Sequence, residues 1–282
     1  MSLITIKSDA LTVVISSRGA ELQSIRDSQG IERMWQGDPA YWTGRAPILF
    51  PVAGGLRDDC YFMDGERYEM PKHGFVRQRE WQVEEAGERS ATFLMRDKHP
   101  GFPFDYELRA IFAVDGSSLS VTYRVTNCDS RAFWFGLGAH EAYATPGGLE
   151  SYSIEFEQPE RLDDYVLEGN LIGRTPRLMG ENVKVFPMKT EYFAVDALVF
   201  PTLRSRSVTL SSTQHDRRIR VDYPEHSVLM LWTKPGAEYL CIEPWINAPD
   251  FTDSDMQIEH KPGCIRLMPG ETVERTHTIT AL

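Results

Sequence analysis

The sequence predicts an all-β antiparallel fold, either a sandwich or a barrel, and three observations carry that reading. Apolar and polar residues alternate with period two in almost every segment, as strands with one face on a core require. No stretch sustains the 3.6-residue period of an amphipathic helix. Strand-like runs recur about every 8–12 residues, with Gly, Pro, Asp and Asn between them.

In order, the first runs are 3–7 and 11–16. The stretch 47–77, PILFPVAGGLRDDCYFMDGERYEMPKHGFVR, is the densest in the chain. Asp64-Gly65 between YFM and ERYEM is a hairpin signal, because a type I′ turn needs positive φ at both central residues. A two-residue turn sets Met63 opposite Glu66. The same register carried back sets Arg57 opposite Lys72 and beside His73, so that a cation and an imidazole meet among Gly54, Gly55 and Gly74. Pro71, which has no N–H, and any bulge would shift that pairing.

Runs at 81–85 and 91–95 follow, then a long pair, 105–114 and 118–127, joined around Asp115-Gly116. Further strands are expected at 133–137, 152–156, 207–210, 218–223, 228–232, 239–243 and 272–280. Residues 159–189, with Gly169, Gly173, Pro176, Gly180 and Pro187, read as a long excursion from the sheets, and loops of that length often shape a site. No repeat, low-complexity block or linker divides the chain, so residues 1–282 read as a single domain.

A net charge of −11 argues against a nucleic-acid partner, which needs a basic stripe. Arg204, Arg206, Arg217, Arg218 and Arg220 form a loose basic group, read as solvated strand faces or else an anionic-substrate site. The opening residues contain only short apolar pieces broken by Lys7 and Asp9, so neither a membrane span nor a signal peptide fits and a cytoplasmic location is the default. Cys60, Cys128, Cys241 and Cys264 are widely spaced and form no CxxC pair, so they read as free thiols.

Phosphate-cradling motifs are missing, and the nearest, GLGAHE from Gly136, lacks the last glycine. Neither a GxSxG elbow nor an HExxH pair occurs. His140 follows an aromatic strand and two glycines, where a histidine serves as an acid or base or as a packed core residue. Glu243, in LCIEPW, is a carboxylate in an apolar strand that Pro244 terminates. Its burial is costly and raises its pKa, which suits a general base. Asp196 is another lone acid in an apolar run. Trp245, Phe75 and Tyr143 offer aromatic faces of the kind that pack on sugar rings.

Taken together, RGAELQSI from Arg18, FPVAGGLRDDCYFMDGERYEMPKHGFVR from Phe50, GLGAHEAYATP from Gly136, DALVF from Asp196, CIEPWINAPDF from Cys241 and KPGCIRLMPGE from Lys261 resemble the aldose 1-epimerases, or galactose mutarotase-like proteins, in their diverse bacterial branch. The resemblance spans nearly the whole chain. It implies a large antiparallel β-supersandwich with few short helices and a sugar groove on one sheet. It makes Glu243 the general base, His140 the general acid, Arg57 and His73 the substrate-binding pair, and Asp196 a binding aspartate. Trp245 joins them as a substrate-binding ring. Glu141 follows His140 where the family more often has proline, which could bring a second carboxylate to the sugar.

The implied reaction is interconversion of α and β anomers of a hexose by ring opening and closure, which needs neither metal nor nucleotide cofactor. The implied partner is a small aldohexose or derivative, bound by a monomer or homodimer. Three other readings stand beside it. One is a non-catalytic sugar-binding or sugar-sensing protein. Another is a glycoside hydrolase pairing Glu243 with Asp196 or Glu141. The third is a hexose-6-phosphate 1-epimerase, which needs cations converging on the site.

Overall fold

Period two in the sequence becomes two faces in space. The computed structural model describes residues 1–282. In the ten-residue strands Tyr106–Asp115 and Ser118–Asn127, Leu108, Ala110 and Phe112 point inward with Val121 and Tyr123. The intervening residues face out and pair across the ladder, as in the Thr122–Thr276 hydroxyl bond and the Arg124–Glu274 ion pair.

These strands lie in a nine-stranded sheet whose order is Arg177–Pro187, Tyr152–Asp164, Ser207–Ser212, Ile219–Asp222, Thr272–Ala281, Ser118–Asn127, Tyr106–Asp115, Ser90–Met95 and Gln82–Ala86. A four-stranded sheet has the order Glu141–Ala144, Tyr239–Trp245, Val228–Trp232 and Leu198–Phe200. Ladders in both sheets are antiparallel throughout. The two sheets share one apolar cluster of 62 buried residues, to which Leu231, Leu240 and Ile242 come from the smaller sheet and Phe112, Val121 and Tyr123 from the larger. Leu3–Lys7, Leu11–Ser16 and Leu22–Asp27 form a third sheet, and the helical content is a handful of short 3-10 turns. This is the antiparallel β-supersandwich. No helix is long and apolar enough to cross a membrane.

Two departures from the sequence reading have physical causes. The excursion at 159–189 contains an eleven-residue edge strand, Arg177–Pro187, paired with a strand that runs on to Asp164. Only Phe186 of that edge strand is buried, so no alternation marks it, and register shifts between Glu155 and Asp163 accommodate Pro159. Pro244, expected to end its strand, lies inside Tyr239–Trp245.

The first hairpin has the expected turn, with φ of 52° at Asp64 and 83° at Gly65, and a register running from Met63 opposite Glu66 to Cys60 opposite Glu69. Beyond Cys60 the expected pairing of Arg57 with Lys72 fails. Asp58 and Asp59 both take the left-handed conformation, at φ of 54° and 49°, and the resulting 3-10 turn swings Arg57 off the ladder.

Candidate active site

The four-stranded sheet delivers the two groups expected to move protons. Glu141 pairs with Ile242 in the ladder, so the preceding rung sets His140 opposite Glu243 with both side chains on the outer face. Their Nε2 and Oε2 atoms are 3.4 Å apart. Both line a cavity of about 680 Å³, a size that holds a monosaccharide. Trp42 packs on the His140 ring at 5.1 Å between centroids, while Trp232 and His73 meet it edge-on at 5.7 and 5.8 Å.

Burial sets the electrostatics of this pair. Glu243 is only 1 % exposed, and desolvation pushes its carboxyl well above the usual range, with Glu141 and Asp196 adding to the rise and Lys72 opposing it. Desolvation, reinforced by Arg77 and Lys72, pulls His140 down to about 3. Each group is thus held toward its neutral form.

Pro244 explains how Trp245 is fixed. In the same register Ala139 stands opposite Pro244 and donates its N–H to the proline carbonyl at 3.1 Å. The reciprocal bond is impossible because proline has no N–H. The indole Nε1–H of Trp245 takes the vacant Ala139 carbonyl instead, at 3.0 Å. Gly138 permits this, since a Cβ there would sit 2.5 Å from the indole.

His73 is locked from both sides by Gly54. Its backbone N–H donates to the Gly54 carbonyl at 3.0 Å, and the Gly54 N–H donates to its Nδ1 at 3.1 Å. With Nδ1 accepting, the neutral ring carries its proton on Nε2, facing the cavity as a donor. Burial, with His140, Lys72 and Arg77 nearby, holds His73 well below the usual imidazole value and so keeps it neutral. Gly74 makes the approach possible, because a Cβ there would strike the Phe50 carbonyl.

Of the six residues expected at the site, five line the cavity: His73, His140, Asp196, Glu243 and Trp245. Arg57 does not. Its guanidinium donates to the Ser254 carbonyl at 2.8 Å, and its backbone N–H to Asp250 at 3.0 Å. Lys72 and Arg77 line the cavity in its stead. The 3-10 turn Val76–Gln78 folds Arg77 back so that its Nη2 donates to the Lys72 carbonyl at 3.2 Å, and no carboxylate lies within 4.0 Å of it. Lys72 Nζ is 3.9 Å from Asp196. Arg18 also lines the cavity.

Glu141 is not in the cavity. One residue after His140, it points to the other face of the sheet, where it is 1 % exposed and bonded to His277 at 3.0 Å. The loose arginine group is also elsewhere: Arg204 meets Pro159 and Glu160, and Arg220 meets Asp222. Sequence reasoning missed Trp42, Trp232, Lys72 and Arg77. For Arg77 the spacing in His73-Gly74-Phe75-Val76-Arg77 was a usable signal. Trp42 comes from an irregular segment with no periodicity to read.

A family model described as aldose 1-epimerase matches residues 2–280. The protein LacX (plasmid) of Lactococcus lactis subsp. lactis is 34 % identical over 99 % of each chain. Among solved structures, a galactose mutarotase related enzyme from Lactobacillus acidophilus is 28 % identical with a TM-score of 0.93, covering 100 % of this chain and 97 % of that one. A galactose mutarotase-like protein from Lactobacillus casei is 26 % identical with the same TM-score and full coverage of both chains. With a family match over nearly its whole length and this fold around a cavity holding a histidine and a glutamate, the chain belongs to the aldose 1-epimerase family, whose members are carbohydrate isomerases.

Proposed function

We propose that this enzyme interconverts the anomers of an aldohexose, with Glu243 as base at the anomeric hydroxyl and His140 as acid at the ring oxygen. The observation that carries the reading is the placement of these two groups on one rung, 3.4 Å apart, at the floor of a sugar-sized cavity. Ring opening removes the proton from the C1 hydroxyl and adds one to the ring oxygen. The C1–C2 bond then rotates, and closure on the other face returns both protons.

Because one proton is taken and one given, the pair ends each half-reaction with the single proton it began with. Lys72 is positioned to favour the carboxylate form of Glu243 when substrate arrives. The neutral His73 Nε2–H and the Arg77 guanidinium orient hydroxyls, Asp196 accepts from one, and Trp245 backs the sugar ring.

Polarimetry of freshly dissolved α-glucose and α-galactose tests this directly. Wild type is expected to exceed the spontaneous rate for at least one aldose. Binding without acceleration across an aldohexose panel would move the protein to the sugar-binding class. A second substrate reading, a hexose 6-phosphate, is favoured by the three cations that line the cavity, Arg18, Lys72 and Arg77. It predicts a lower KM for the phosphorylated sugar than for the free one, and substitution of Arg77 should erase the difference.

A further inference from the structure

Cys241 stands beside the proton-transfer pair without a part in the proposed reaction. It precedes Glu243 by two residues in the same strand, so the two side chains share the outer face. Its cross-strand neighbours are Ala142 on one side and Trp232 on the other. The ligand atoms of His140, Cys241 and Glu243 all lie within 4.8 Å of one another, and all three residues are buried. Glu243 Oε2 and His140 Nδ1 have no hydrogen-bond partner, so neither side chain is fully committed elsewhere.

We propose that His140, Cys241 and Glu243 form a binding site for a zinc-type divalent cation, with three protein ligands and a fourth position open to the cavity, and that its occupation shuts the enzyme off.

Zinc bonds of about 2.0–2.2 Å to nitrogen and oxygen and about 2.3 Å to sulfur set tetrahedral ligands roughly 3.3–3.6 Å apart. The His140–Glu243 separation of 3.4 Å already fits. The sulfur lies within 4.8 Å of both other ligand atoms and must move closer to one or both of them to complete the set. Thiolate, imidazole and carboxylate together favour Zn2+, Co2+ or Cd2+ over Mg2+ and Ca2+.

The ligating forms of these groups are thiolate, carboxylate and neutral imidazole, so metal entry releases protons and binding should tighten as pH rises.

The full-length protein titrated with Co2+ tests the site without any assay of turnover. A near-ultraviolet thiolate-to-cobalt band is expected at one equivalent, lost in Cys241→Ala and Cys241→Ser and kept in Cys60→Ala and Cys128→Ala. Glu243→Gln should weaken binding at least tenfold. Absence of the band in wild type, or its survival in both Cys241 variants, overturns the proposal. A second arm rests on the mutarotase reading: Zn2+ should inhibit anomer interconversion, a chelator should restore it, and Cys241→Ala should keep the metal-free rate while losing at least tenfold in zinc sensitivity. A cobalt band in a protein that turns over no sugar would sink the catalytic reading and leave the metal site standing. Normal turnover with no band would do the reverse.

Discussion

The four-stranded sheet carries a glutamate–histidine pair on each face. On the cavity side His140 and Glu243 approach at 3.4 Å, and Glu243 Oε2 is left without a hydrogen bond. On the core side, one residue along, Glu141 meets His277 of the other sheet at 3.0 Å, also out of contact with water. Each pair leaves one carboxylate oxygen unpartnered, Glu243 Oε2 outside and Glu141 Oε2 inside, so the difference is one of place: the outer pair lines the cavity, whereas the inner pair ties two sheets together. The alternation of side chains along the strand sets the two pairs on opposite faces.

The largest expected effect breaks the comparison on the outer side. Glu243→Gln should lower kcat by about 10²- to 10⁴-fold, as should His140→Asn, while Glu141→Gln should leave kcat within a few fold. Stability should move the other way. A carboxyl whose folded pKa is raised costs stability at every pH above its unfolded value, and Gln cannot ionise. Glu243→Gln should therefore raise the neutral-pH Tm, read by calorimetry. An equal loss of activity in the Glu243 and Glu141 variants would show that the two faces are not separate.

On the inner side, Glu141→Ala or His277→Ala leaves a buried polar group unpaired and should cost on the order of 3 kcal/mol in denaturant unfolding. A variant as stable as wild type would mean that the inter-sheet bond contributes nothing. Next in size is the contrast between the two arginines near the hairpin. Arg77→Ala should raise KM about tenfold or more at little change in kcat, whereas Arg57→Ala, which removes a contact to Ser254, should stay within about twofold.

The smallest effect is in the pH profile. On the mutarotase reading the outer pair must hold one proton. Burial pulls His140 down to about 3, so the acid limb of the rate profile should lie near that pH and not near the ordinary imidazole value of about 6.5. Burial raises Glu243, so the alkaline limb should lie above the ordinary carboxylate value. An acid limb near about 6.5 would mean that His140 titrates as an exposed histidine.

Much of the fold was legible because the same period-two pattern that buries one face of a strand is written in its residues. The strands from 106 to 127 and the turn at Asp64-Gly65 follow from it. The edge strand Arg177–Pro187 was not legible, since it buries almost nothing and so carries no pattern. Trp42 reaches His140 from an irregular segment, a contact that nothing local encodes.

At the site, the sequence by itself marked His73, His140, Asp196, Glu243 and Trp245, because polar groups beside glycine, proline and apolar runs are anomalous and need a reason. Tertiary structure alone decided that Arg57 leaves and that Lys72 and Arg77 arrive, and that Glu141 belongs to the core. Two left-handed residues at Asp58 and Asp59 redirect one side chain, and a shift of one position along a strand reverses another. Both are single-residue geometric choices settled by packing over long range, where sequence pattern carries no information.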